Sequence, residues 1–151
     1  MPSFRTVRRV AHSAGDMFDL VADVEKYPAF VPMCEKLVVH DRMPLDHGRF
    51  ALVADMTVGY KVFRETFTSR VTLDRPALNI LVEYLDGPFR SLENRWHFRP
   101  QGENASDIEF FITYEFRSRT LGMLMGSVFD AAFRRFAHAF ETRADKIYRR
   151  A

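Results

Sequence analysis

The C-terminal stretch sets the tightest limit on how this chain folds. Leu121, Met125, Phe129, Phe133, Phe136, Phe140, Ala144 and Ile147 recur at spacings of three and four, and no proline falls between Leu121 and the end. That period belongs to one long amphipathic helix with a single apolar face. At about 1.5 Å per residue it runs roughly 40 Å. A face of that length needs a broad apolar partner, which the preceding residues must supply.

Those residues read as strands. Phe50, Leu52, Ala54, Met56 and Val58 alternate with polar groups such as Asp55 and Thr57, the period of a half-buried strand. Gly59-Tyr60 is placed as the tight turn, and Phe63, Phe67, Val71 and Leu73 return on one face together with Glu65 and Ser69. Further strands are expected around Phe4–Ala11, Cys34–Met43, Ile80–Tyr84 and Leu92–Phe98, and over Ile108, Phe110, Ile112, Tyr114 and Phe116. Turn signals at Pro44–Gly48, Asp74–Pro76, Asp86–Pro88 and Gln101–Asn104 separate them. Near the start, Ser13 and Asp16 form a capping pattern for a short helix carrying Met17, Phe18, Val21 and Val24, and Pro28 ends it. Consecutive strands with short connections imply an antiparallel sheet, and only the final helix is long enough to cover its apolar face. The expectation is one α+β domain over residues 1–151, a curved sheet gripping a helix. The 15 phenylalanines suit a solid core or the walls of a cavity, and periodicity alone leaves both open.

Several functions are disfavoured. With 22 basic and 20 acidic residues the net charge is +2, too balanced for a DNA binder. The single cysteine, Cys34, forms no intrachain disulfide and no multi-cysteine zinc site, and suits a cytoplasmic location. His12, His40, His47, His97 and His138 form no metal-binding pair. Cys34 and His40 stand too far apart along a strand for a catalytic thiol pair. The basic N-terminus lacks the apolar run of a secretory signal, and no segment approaches the roughly 20 apolar residues of a spanning helix. Arg134, Arg135, Arg143, Lys146, Arg149 and Arg150 make the last helix basic, with Asp130, Glu141 and Asp145 interspersed. This is read either as a solvated face or as peripheral attraction to an anionic membrane.

Three segments carry a family resemblance. Val24-Glu25-Lys26-Tyr27-Pro28-Ala29-Phe30-Val31-Pro32-Met33-Cys34 resembles a YPxFxPWC motif, with Met33 where tryptophan is usual. Leu85-Asp86-Gly87-Pro88-Phe89-Arg90-Ser91-Leu92, followed by Trp96-His97-Phe98, is similar to LxGPFxxLxxxWxF. Tyr114-Glu115-Phe116 and Phe140-Glu141-Thr142-Arg143-Ala144 also match. Together they resemble the START-like family of coenzyme Q-binding proteins, which shares its signature with bacterial ribosome-association toxin proteins. The resemblance implies a helix-grip fold in the polyketide cyclase/START superfamily. It further implies a deep hydrophobic pocket for ubiquinone or a related polyprenyl lipid, in support of respiration, with no cofactor required and no catalysis.

On that basis the expected lining is Phe50, Leu52, Met56, Phe63, Phe67, Trp96, Phe98, Tyr114 and Phe116 from the sheet. Met125, Phe129, Phe133 and Phe136 face them from the helix, and Phe30, Val31 and Met33 gate one end. Glu65 and Ser69 either meet a polar head group or sit at a wet rim. Tyr114 is a candidate donor to a quinone oxygen, or bonds to backbone. Gly122 and Gly126 are expected to permit close packing or to serve as a hinge. Ribosome binding that impedes subunit association is the alternative function, and an aromatase/cyclase-type enzyme a further one.

Overall fold

A computed structural model describes residues 3–148. Strand β1 (Ser3–Val10) leads into helix α1 (Ala14–Ala22), then a 3-10 turn (Val24–Ala29). Six strands follow: β2 (Cys34–Pro44), β3 (Arg49–Tyr60), β4 (Phe63–Asp74), β5 (Asn79–Asp86), β6 (Phe89–Pro100) and β7 (Ser106–Phe116). Helix α2 (Arg119–Ile147) closes the chain with 29 residues. The seven strands form one antiparallel sheet in the order β1-β7-β6-β5-β4-β3-β2. Only the β1–β7 pairing is not between sequence neighbours, so the first strand docks beside the last and places both helices on one face.

Local chemistry explains the boundaries. Ser13 caps α1 by accepting from the Asp16 amide at 3.1 Å, and Ser118 caps α2 by accepting from Leu121 at 3.2 Å. The β5–β6 turn depends on Gly87, whose φ of +140° is unfavourable for other residues. A Cβ there would lie 2.7 Å from that of Phe67. Edge strand β2 is interrupted by register shifts between Cys34 and Lys36 and between Val39 and Asp41.

The β3–β4 turn is not at Gly59-Tyr60. Pairing continues to Tyr60 opposite Phe63, so Lys61 and Val62 form the two-residue loop, with Lys61 at φ 55°. Gly59 belongs to the strand. Its amide donates to the Met33 carbonyl at 2.9 Å, and an added Cβ would stand 2.0 Å from Glu35 Oε2. The glycine is explained by close approach of the neighbouring segment, which a turn reading hides.

The inward rows of the sheet and the apolar stripe of α2 form one core, including Phe89, Phe98, Ile108 and Phe140 at 0% exposure. The helix backbones come close to β1, β6 and β7, whereas β3, β4 and β5 have little helix backbone against them. That offset leaves side chains alone to fill the space over the middle of the sheet.

Candidate ligand cavity

A cavity of about 80 Å³ lies in that space. Helix α2 contributes Phe129, Ala132, Phe133, Phe136 and Phe140. The sheet contributes Leu37 from β2, Ala54, Met56 and Val58 from β3, and Phe67, Ser69 and Val71 from β4. Ile80 and Val82 (β5), Leu92, Asn94 and Trp96 (β6) and Ile112 (β7) complete the floor. Val24, Tyr27, Pro32 and Met33 close one side from the 3-10 turn and the loop after it.

Two ring clusters bracket the cavity. In one, Phe140 meets Trp96 at 5.1 Å, Phe30 at 5.1 Å and Tyr27 at 5.3 Å, all edge-on. In the other, Phe89 meets Phe67 and Phe129 edge-on, both at 5.6 Å, and stacks with Phe116 at 4.9 Å. Such offset and edge-on geometry fixes ring positions, so the walls are well defined at both ends. Between α2 and the tip of β3 lies an open groove of about 330 Å³ that includes Tyr60, Ser127, Val128, Ala131 and Arg135. It shares Pro32, Met33 and Ala132 with the cavity, so the two adjoin there and the groove is the candidate mouth. Exposed apolar side chains stand on the same elements: Tyr60 and Val62 at the hairpin tip, Met123 and Leu124 at the start of α2.

The polar groups of the lining are few. Tyr27 donates to the Val21 carbonyl at 2.5 Å, and burial pushes its phenol above the ordinary range. Asn94 accepts from Trp96 Nε1 at 2.8 Å and donates to the Phe111 carbonyl at 2.8 Å. Ser69 completes the set. The lining contains no carboxylate, histidine, lysine or arginine. Beside the cavity, burial raises the Cys34 thiol to about 11, which favours the neutral thiol over the thiolate at neutral pH. His40 pairs with Asp55 at 2.7 Å. No cluster of metal-ligating side chains exists among the described residues.

A model of the polyketide cyclase/dehydrase and lipid transport family matches residues 10–141. The chain belongs to this family. Ribosome association toxin RatA of Vibrio cholerae is 33% identical over 92% of each chain. The mitochondrial coenzyme Q-binding protein COQ10 of Drosophila melanogaster is 33% identical over 87% of this chain, which spans 53% of that longer protein. The solution structure of the 18 kDa protein CC1736 from Caulobacter crescentus superposes with a TM-score of 0.78. It is 32% identical, covering 98% of this chain and 99% of that one. At 18% identity, the Zhui aromatase/cyclase structure (TM-score 0.78) shares the fold over 98% of this chain and 96% of its own. These matches bear out the resemblance carried by the motifs and the helix-grip architecture.

Within this family fold, the residues expected at the site divide into groups. Met33, Met56, Phe67, Trp96, Phe129, Phe133 and Phe136 line the cavity. Leu52, Phe98, Tyr114, Phe116, Met125 and Val31 are not in the lining but pack in or against the core behind it. Phe98, for example, turns its ring toward Phe18 of α1 at 5.8 Å. Phe30 supports Phe140 and lies beneath the Arg143 guanidinium, 5.3 Å from its ring centre, while Phe63 flanks the hairpin. Phe50 is apart from all of them, 53% exposed at the corner where β2 and β3 begin to pair beyond reach of either helix. The Tyr114 hydroxyl reaches the Gly126 carbonyl at 3.5 Å. Ser69 is buried rather than at a wet rim, and Glu65 is outside the lining. Neither glycine of α2 answers to close packing: a Cβ on Gly122 would meet Phe116 at an ordinary 3.6 Å, and one on Gly126 would meet nothing within 4 Å.

The residues missed were mostly smaller ones on the same inward rows, such as Ala54, Val58, Val71, Val82 and Ala132. Strand parity and helical spacing mark them equally well, but small side chains do not stand out in a sequence rich in rings. Of the basic helix residues, Arg134 pairs with Asp130 at 2.9 Å and covers the Phe4 ring at 4.7 Å. Arg149 and Arg150 lie outside the described residues. Among the described residues, no helix is long and apolar enough to cross a membrane.

Proposed function

We propose that this protein binds and carries a hydrophobic ligand, a ubiquinone or related polyprenyl lipid, without catalysing a reaction on it. The observation that carries this reading is an apolar cavity between sheet and α2, lined by no ionisable acid or base apart from the Tyr27 phenol, which donates to backbone. The relative named as a coenzyme Q-binding protein supports the choice of ligand. At about 80 Å³ the cavity is smaller than the roughly 300–1,000 Å³ of typical ligand pockets. Binding therefore requires the cavity to enlarge. Each isoprenoid methylene-sized group then buried contributes about 0.8 kcal/mol. The test is to purify the protein, extract it with organic solvent and analyse the extract by mass spectrometry, then titrate delipidated protein with ubiquinone. A prenyl lipid in the extract and saturable binding are expected. Neither native lipid nor binding to delipidated protein would overturn the reading.

A second reading has one specific support. Relatives named as ribosome association toxins match over nearly the full length of both chains, as with RatA of Vibrio cholerae at 92% of each. In that reading the chain impedes ribosomal subunit joining. Sucrose-gradient profiles with added protein separate the two, since a lipid carrier leaves the ratio of subunits to whole ribosomes unchanged.

A further inference from the structure

The polar side chains of the cavity are not equivalent. The Tyr27 hydroxyl is committed to the Val21 carbonyl, and Asn94 is committed on both sides, to Trp96 and to the Phe111 carbonyl. Ser69 is 5% exposed and lines the cavity, its hydroxyl makes no hydrogen bond among the described residues, and its oxygen is not sealed off as that of Ser91 is, so it opens on the cavity. Its position in the register explains the isolation. It lies opposite Ala54 on β3 and Tyr84 on β5, with Phe67 and Val71 as the next inward residues of its own strand. Tyr84, its cross-strand partner on β5, accepts from the Phe89 amide at 3.1 Å. A hydroxyl that opens on a small, otherwise apolar cavity lacks the hydration of bulk water, and an acceptor placed there would satisfy it.

We propose that Ser69 is the hydrogen-bond anchor of the cavity, donating to a neutral acceptor oxygen on an otherwise apolar ligand. This deepens the ligand-binding reading above and rests on it. It also narrows the ligand class. One donor fixes one acceptor, such as a quinone or ketone carbonyl, an ester or a methoxy oxygen. The lining supplies no lysine, arginine or histidine to balance an anion, so a fatty-acid carboxylate would be desolvated without compensation and is disfavoured. The class is the neutral, acceptor-bearing lipids; pure hydrocarbons gain nothing from Ser69, and ionised lipids are rejected.

Calorimetric titration of the full chain and its Ser69→Ala and Ser69→Thr variants tests this, with decylubiquinone, decylbenzene and palmitate as probes. Decylbenzene carries the same tail length without an acceptor. Ser69→Ala is expected to weaken decylubiquinone by about five- to tenfold, the worth of one hydrogen bond, and to leave decylbenzene within about twofold. Ser69→Thr, which keeps the hydroxyl, restores the difference. The unliganded Ser69→Ala protein melts at or above the wild-type temperature, because the change removes an unpartnered group. If wild type binds both neutral probes and Ser69→Ala changes neither, or weakens both equally, the anchor is overturned while the binding reading stands. Palmitate binding as tight as decylubiquinone overturns the charge selectivity. If wild type binds no probe, the binding reading fails and the anchor with it.

Discussion

Asp55 holds three strands together with one carboxylate. Thr68 of β4 donates to Oδ1, and His40 of β2 bonds Oδ2 at 2.7 Å. The Thr68 bond, then the His40 bond, holds the carboxyl below its ordinary 3.8. A depressed folded pKa gives stability that is complete above the unfolded value and is lost as pH falls through the folded one. Asp55→Asn should therefore lower the urea midpoint at neutral pH, with the gap to wild type narrowing as pH falls below about 4. A gap that stays constant from pH 6 to pH 3 would show that charge is not the source. At this scale the sequence was only partly legible. Asp55 reads as an outward polar residue by parity, but its two partners depend on register across β2, β3 and β4. Trp96 was placed in the lining by the same parity, and Phe133 by the three- and four-residue spacing of the helix. Ser69 sits on the correct face, yet a lone hydroxyl among rings reads as a rim residue until the strand order buries it.

Among the elements, α2 carries an avoidable cost. Gly126 lies within the helix, and an added Cβ there meets nothing. Glycine disfavours helix by about 0.8–1.0 kcal/mol relative to alanine. Gly126→Ala should accordingly raise stability by about 0.5–1 kcal/mol in urea melts, and a loss of that size would reveal a contact not seen here. If the stabilised variant also loads ligand more slowly, the glycine serves as a hinge. The helix itself was legible to within two residues at its start, since its apolar spacing is long and unbroken. The β3–β4 turn was misplaced because Gly59 carries a turn signal for a different physical reason, the approach of Glu35 and Met33. Local chemistry does not distinguish a glycine needed for its φ from one needed for its missing Cβ.

For the whole molecule, the two ends of α2 are held unequally. Toward its C-terminus, Glu141 takes Arg8 at 2.5 Å and Asp145 bonds buried His12 at 2.6 Å. The Tyr148 hydroxyl adds a bond to the Asp16 carbonyl at 3.2 Å. Near the N-terminus, Met123 and Leu124 are 82% and 53% exposed, and the Tyr114 to Gly126 contact is long at 3.5 Å. Cavity widening should begin at that loose end, which also borders the mouth. Hydrogen exchange is expected to be faster in residues 119–127 than in 132–147, and bound lipid should protect the first segment more. Equal protection throughout, with no change on loading, would mean that access lies elsewhere. The overall architecture was readable because strand and helix periods alternate so cleanly. The cavity's size was not, because it depends on how far α2 stands from β3, β4 and β5.

The irregular edge of β2 bears on the same opening motion. A protein that parts its sheet from its helix briefly presents apolar surface to neighbours, when a straight bordering strand would invite another chain to zip alongside. The two bulges, together with Lys36, His40, Asp41, Arg42 and Pro44 along that border, break the even comb of amides that such growth requires. Along β2, an opening at the centre would thus meet no straight edge on which fibres could start.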